Sequence, residues 1–316
     1  MQGPAAVAIL TDEPGWHGRE LQRAFLALGV PSAFASLSEC RIDLEGPQAR
    51  VQVPGFGERE PDAVFVRSIE AGSFEQVTLR LSVLHALREL GVPVYNDARS
   101  IERSVDKSMT TFLLRRHGIP TLPTWVTERE SVARTILMRE TAQRHELVVK
   151  PLFGSQGKGL MRLASGASVP GPDEVRGVWY LQRFLNCGEG NWHDWRVLVA
   201  GGRPVSAMLR RGRSWVTNVA RGARVEAVDA QGDLAGLAIE AAKAVGADYA
   251  GVDLMRDADG RWLVLEVNSI PAWRGLQAVT PFRIADALAR DLVTRHLGHA
   301  LGRRGPARTA ASVPGP

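Results

Sequence analysis

Apolar and polar positions change period several times along the chain, and each change predicts an element. AVAIL (6–10) is a short continuous apolar run of the kind a fully buried strand presents. GRELQRAFLALG (18–29) follows with apolar residues at helical spacing, closed by a glycine. The cycle repeats: AVFVR (63–67) predicts a buried strand, SFEQVTLRLSVLHALRELG (73–91) an amphipathic helix, and VPVYN (92–96) a third strand. This alternation predicts a parallel α/β layer over residues 1–100, with ligand positions where its strands end, near Arg67 and Asn96.

Beyond residue 100 the alternation stops. DKSMTTFLLRRHG (106–118) and a polar stretch near 129–143 predict helices, and ELVVK (146–150) predicts a strand. From about 160 onward strands dominate: LMRLA, VWYLQRFL, DWRVLVA and PVSAMLRR, the last two separated by the turn GGRP. A helix at DLAGLAIEAAKAVG (233–246) precedes a hairpin, YAGVDLM and WLVLEVN, joined by DADG. FRIADALARDLVTRHL (282–297) predicts the closing helix. These shifts divide the chain into segments 1–100, 101–180 and 181–300, with a Pro/Gly/Ala/Arg tail at 301–316 that lacks periodicity and is expected to be disordered. The fold class is therefore α/β leading into α+β.

LVVKPLFGSQGKGL (147–160) raises the question of nucleotide chemistry. A Walker loop needs G-x-x-x-x-G-K-[ST], but Leu152 stands at the first glycine position and Gly159 follows Lys158. The dinucleotide fingerprint fails as well, because Gly154, Gly157 and Gly159 run in the reverse order of spacing. Lysine usage singles the stretch out. Of 39 basic residues only four are lysines, Lys107, Lys150, Lys158 and Lys243, so a lysine at 150 or 158 points to local chemistry. A compact ammonium on a flexible stem suits a moving phosphate; an ordinary surface cation beside a turn is the alternative.

The acidic chemistry lies in the hairpin. Glu266 and Asn268 are two apart, so both face one side of the sheet, and the tight turn brings Asp253 back near Glu266. Two carboxylates and an amide oxygen suit Mg²⁺ bridging phosphates; the alternative is an exposed Glu266 and an Asp253 paired to an arginine.

Bulk properties narrow the class. The chain has 316 residues, 45% hydrophobic and 23% charged, with a formal charge of +5 and pI near 9.7. The excess is partly local, in GRRGPAR (302–308), and no long basic run with interleaved aromatics occurs, so anionic small substrates are expected rather than nucleic acid. Cys40 and Cys187 are too few for a disulfide scaffold, no apolar run reaches membrane-spanning length and the N-terminus has no basic region, so a cytoplasmic protein without a membrane partner is expected.

DK at 106–107, LVVKP with its glycine loop, LQRFL (181–185), HDWRVLVAG (193–201), GVDLM (251–255) and LEVNSIP (265–271) resemble, in order and spacing, the ATP-grasp ligases, and in detail the RimK-type branch. The resemblance runs from about residue 5 to 297 and implies a two-lobed grasp domain that adds L-glutamate to a carboxylate of a cofactor, first a pterin, or of a protein, with ATP and Mg²⁺ or Mn²⁺ as cofactors. It implies that Lys107, Lys150 and the lid residues Gly154, Ser155, Gln156 and Gly157 hold phosphates. Gln182, Arg183, Phe184 and Leu185 would form the adenine hinge, with Asp194 nearby. Asp253, Glu266 and Asn268 would hold metal. Arg196, Arg210 and Arg221 would steady the transferring phosphoryl group, and Arg67 and Asn218 would bind substrate. The sequence departs from the branch at Arg183, where many relatives carry glutamate, and at Val216, where an arginine is common. An ATP-grasp kinase and a non-catalytic ATP-binding module are the alternatives, and a homo-oligomer is compatible with either.

Overall fold

The computed structural model describes residues 6–154, 157–186, 188, 190 and 192–298. Two compact units emerge: residues up to Tyr95 together with those from Leu288 onward, and residues 96–287.

In the first unit, β1 (Val7–Leu10), α1 (Gly15–Ala27), β2 (Ser32–Ala35), a small antiparallel pair β3 (Arg41–Asp43) and β4 (Arg50–Gln52), β5 (Ala63–Val66), α2 (Phe74–Glu89) and β6 (Val94–Tyr95) follow in order. The parallel sheet runs β2-β1-β5-β6. β1 and β5 are buried along their whole length, which explains why both read as continuous apolar runs rather than alternating ones. Ser73 and Gln76 form a capping box that starts α2.

The second unit begins with α3 (Ala98–Val105) and α4 (Lys107–Arg116). It continues through β7 (Thr124–Thr127), α5 (Glu130–Ala142), β8 (Leu147–Lys150), β9 (Met161–Leu163), the short α6 (Pro172–Val175) and β10 (Trp179–Arg183). β7, β10, β8 and β9 pair antiparallel in that order, and α5 packs on this sheet through Ala133, Ile136 and Leu137. A second antiparallel sheet, order β13-β12-β11-β14-β15, is built from β11 (His193–Ala200), β12 (Arg203–Arg211), β13 (Arg224–Val228), β14 (Tyr249–Arg256) and β15 (Trp262–Asn268). α7 (Gly232–Val245) covers one face of it with alanines and Val245, against Val197, Val199, Val252 and Val267. The opposite face of β11, carrying Asp194 and Arg196, is left for charged side chains. α8 (Arg274–Gln277) and α9 (Ile284–Leu292) follow, and a π-helical turn, Val293–Leu297, closes the described chain.

Two expectations change. The sequence placed 282–297 with the acidic hairpin, whereas residues from Leu288 cluster with the first unit, where the Tyr95 hydroxyl donates to Asp291 at 2.7 Å. Asn96 was expected at a ligand edge, yet it is fully buried and saturated: its amide donates to Tyr249 O and Ser269 O and accepts from the backbone of Asp248 and Tyr249. The tail at 301–316 lies outside the described residues. Among the described residues no helix is long and apolar enough to cross a membrane.

Candidate functional site

The site is built from residues of the second unit. Asp106 caps α4, its Oδ1 accepting from the N–H groups of Ser108 and Met109 at 2.8 and 3.2 Å, and this fixes Lys107 in the first helical turn. A cation there opposes the helix dipole, so local helix energetics do not account for it. The Lys107 ammonium donates to Gly154 O at 2.9 Å and lies 3.8 Å from Glu266 Oε1. Lys150 closes β8 and donates to Gln182 Oε1 at 2.7 Å. Burial pulls Lys150 below the ordinary lysine value and Lys107 adds to this, while Glu266 and Asp253 act in the other direction.

In the hairpin, Asp253 pairs in register with Glu266 and Gly251 with Asn268, and the ladder shifts just after Asp253. Asn268 Nδ2 donates to Gly251 O at 3.3 Å, which turns its Oδ1 away from that carbonyl. Arg196 donates to both Asp253 oxygens, 2.7 Å each, and Arg210 donates to Asp253 Oδ2 at 3.0 Å. A carboxylate offers about four lone-pair positions. Three N–H donors therefore leave Asp253 one, on Oδ1. Burial by itself would raise the Asp253 carboxyl, but the two guanidinium charges outweigh it and hold the group below the usual carboxylate range. Among the described residues no three His, Cys, Asp or Glu side chains form a metal-binding group. A cation here would lean on Glu266, the Asn268 amide oxygen, the last Asp253 lone pair and oxygens of the substrate. That donor set fits Mg²⁺, which keeps few protein ligands and many substrate or water oxygens.

Several expected roles change. Arg210 is almost completely buried, gives Nε and Nη2 to Asp194 and bridges to Asp253, so it is an internal counter-ion rather than a group facing a phosphate. Asp194 is 4% exposed and paired with Arg210, which accounts for its carboxylate without a nucleotide. Gln182 has strands on both sides of its backbone and turns its side chain to Lys150, not to a base. The Arg183 side chain swings to α5 and meets the buried Glu140 at 2.7 Å. Its backbone is more informative: Arg183 N–H donates to Pro123 O, and proline has no N–H to return. The Arg183 carbonyl thus lacks a ladder donor. Phe184 N–H is used by Glu146 O, and Leu185 N–H has no hydrogen-bond partner among the described residues. Phe184 itself sits edge-on to Trp215 and under Arg162.

The glycine loop docks on the segment after β12. Arg221 Nη2 donates to Gly157 O at 2.8 Å, and a Cβ on Gly157 would stand 2.6 Å from Val216 Cγ1 and 2.7 Å from Asn218 Oδ1. With φ of +67° as well, only glycine fits there. Ser155 and Gln156 lie outside the described residues. Arg67 belongs to the first unit, directly after β5, where its N–H donates to Leu10 O. Sequence reasoning missed Glu140, Pro123, Tyr180 and Thr111. Only Glu140 left a signal, as the next position in the apolar stripe Ala133, Ile136, Leu137.

Comparison with known proteins decides the family. Residues 104–292 match the RimK-like ATP-grasp domain. The chain belongs to the RimK-like ATP-grasp family. Its chemistry is that of an ATP-dependent carboxylate–amine ligase. A tetrahydromethanopterin:alpha-L-glutamate ligase of Methanococcus maripaludis is 34% identical over 89% of this chain and 96% of the relative. A protein of the same name from Methanocaldococcus jannaschii is 34% identical over 74% of this chain and 80% of the relative. Among solved structures, the ATP-grasp ligase PsnB complexed with minimal precursor superposes with a TM-score of 0.70 at 23% identity, covering 92% of this chain and 99% of that one. For this RimK-like chain, the fold class read from the alternation of elements holds.

Proposed function

We propose that the chain uses ATP to join L-glutamate to a carboxylate of a pterin-type cofactor, through an acyl phosphate and with release of ADP and phosphate. The observation that carries the reaction type is the gathering of Lys107 against both the lid carbonyl of Gly154 and the Glu266 carboxylate at the hairpin. The choice of glutamate and a pterin rests on the 34% identity with the two archaeal ligases.

Lys107 and Lys150 hold the phosphates, and Arg221 and Asn218 keep the Gly157 end of the lid in place. The Arg183 carbonyl and the Leu185 N–H accept and donate along the adenine edge, a backbone pair that needs no carboxylate at position 183. Glu266, Asn268 and Asp253 Oδ1 are the cation ligands. Magnesium bound there supplies charge neutralisation across the phosphates, and manganese has the same preference for oxygen. Among the described residues Arg196 keeps Nη1 uncommitted, since Nε and Nη2 serve Asp253, and it is the guanidinium that steadies the acyl phosphate. A carboxylate oxygen of the acceptor attacks the γ-phosphorus as the bond to ADP breaks. The amine of glutamate then attacks the acyl carbon, loses a proton to solvent, and phosphate leaves with the attacking oxygen. Positioning and charge carry such a transfer without a protein nucleophile.

An acceptor labelled with ¹⁸O in its carboxylate tests this. A tetrahydropterin carrying a side-chain carboxylate, glutamate, ATP and magnesium are expected to give one labelled oxygen in each released phosphate, with amide formed in equal amount. A kinase would keep the label on its product and release no phosphate. Unlabelled phosphate accompanying amide would overturn the acyl phosphate route.

A further inference from the structure

A buried polar chain joins the two phosphate lysines, and the orientation of the carboxamide at its centre can be worked out. Thr124 Oγ1 donates to Leu122 O at 2.9 Å, and Thr111 Oγ1 donates to Lys107 O at 2.9 Å. Tyr180 OH lies 2.8 Å from Thr111 Oγ1, a contact in which either hydroxyl can donate. A lone pair of the Tyr180 hydroxyl faces Gln182 Nε2 at 3.3 Å, while Thr124 Oγ1 takes the second amide proton at 3.1 Å. The carboxamide is fully determined: its NH₂ has two acceptors, and its oxygen can face only Lys150, at 2.7 Å. Gln182 and Tyr180 are each 1% exposed and Thr111 8%, so water does not supply substitutes for these partners.

We propose that Gln182, Tyr180 and Thr111 are positioning residues, an ordered chain that holds the Lys150 ammonium in one orientation and ties it to the first turn of α4, which carries Lys107. The chain uses one of three ammonium protons on Gln182 Oε1 and leaves two for phosphate oxygens. With the amide reversed, its NH₂ would face the ammonium and Lys150 would lose its anchor. A leucine and a phenylalanine would fill the same volume, so packing alone does not account for an amide and a phenol at these two positions. The inference rests on the reading of Lys150 as a phosphate ligand.

A mutant cycle read by calorimetric binding of ATP with magnesium separates the two. Gln182→Leu is expected to weaken ATP about tenfold, and Tyr180→Phe about threefold, the size of a lost hydrogen bond to a charged or neutral group. In a Lys150→Met background both effects shrink below about twofold, because the group they position is gone. Thr111→Val behaves as Tyr180→Phe does, and Thr111→Ser restores wild-type affinity. Equal losses with and without Lys150 would assign the chain a merely structural role and overturn the proposal, as would wild-type affinity in Gln182→Leu. Should Lys150→Met alone bind ATP normally, the phosphate reading of Lys150 fails and this proposal fails with it. Tyr180→Phe retains the ring, so it decides the matter if Gln182→Leu does not fold.

Discussion

Glu140 stands in the apolar stripe of α5, 2% exposed, and takes up Arg139 and Arg183. Burial alone would raise its carboxyl, but the Arg183 and Arg139 donors outweigh that and hold it below the ordinary glutamate value. A folded-state value below the unfolded one gives stability that is complete above the unfolded value and lost as pH falls through the folded one. Glu140→Gln keeps the shape and removes the charge, and is expected to cost about 2 kcal/mol at neutral pH, less than for a fully buried pair because Arg139 and Arg183 are partly solvated. The deficit against wild type narrows on the acid side of the ordinary glutamate value. Urea unfolding at neutral pH and at about pH 3 measures it, where a free carboxyl is largely protonated. A deficit of the same size at both would show that shape, not charge, is what the pair supplies. At this scale the sequence spoke unevenly. Lys150, rare in an arginine-rich chain, was singled out by lysine usage, and the alternation in WLVLEVN placed Glu266 and Asn268 on one face. The pairing of Arg210 with Asp194 and of Glu140 with Arg183 was not legible, because which charge meets which is set by the fold.

At the scale of elements, the capped start of α4 connects sequence to chemistry most directly. Asp106 Oδ1 accepts from two backbone N–H groups and the Ser108 hydroxyl, and the helix it starts delivers Lys107. Asp106→Ala removes the cap at about 1 kcal/mol, with Asp106→Asn expected to retain most of it. Fraying of that turn also loosens Lys107, so ATP affinity is expected to fall severalfold in the alanine variant and much less in the asparagine one. Fluorescence titration with a nucleotide analogue and a thermal melt on both variants check this together. Unchanged affinity alongside a lowered melting temperature would separate the cap from the site. The helices over 107–116 and 232–245 were legible from apolar spacing and flanking residues, and that over 130–142 from a polar stretch of helix formers. The strands β3 and β4, three residues each, were not, since so short a run carries no period. Nor was α3, whose buried face contains Ser100 and Ser104, and whose partner for Ser104 is the distant Ser269.

For the whole molecule, the boundary between units is what the sequence least revealed. Helical periodicity in FRIADALARDLVTRHL marks an apolar stripe without naming the surface it covers, and only the fold assigns residues from Leu288 to the first unit. Leu292 is fully buried, and beside it Asp291 receives the Tyr95 hydroxyl. The residues proposed to hold nucleotide, by contrast, lie within residues 96–287. The two units are therefore expected to respond separately. Leu292→Ala should cost roughly 3 kcal/mol, the range for a leucine truncated in a packed core, and hydrogen exchange should quicken across residues 6–95. ATP with magnesium at about 100 times its dissociation constant should protect amides of the second unit by up to about 2.7 kcal/mol, through ligand linkage. If Leu292→Ala leaves exchange in the parallel sheet unchanged, the helix does not belong to that core. If the nucleotide slows exchange in the first unit alone, the phosphate site has been assigned to the wrong part of the chain, because a ligand stabilises first the segment whose folded form binds it.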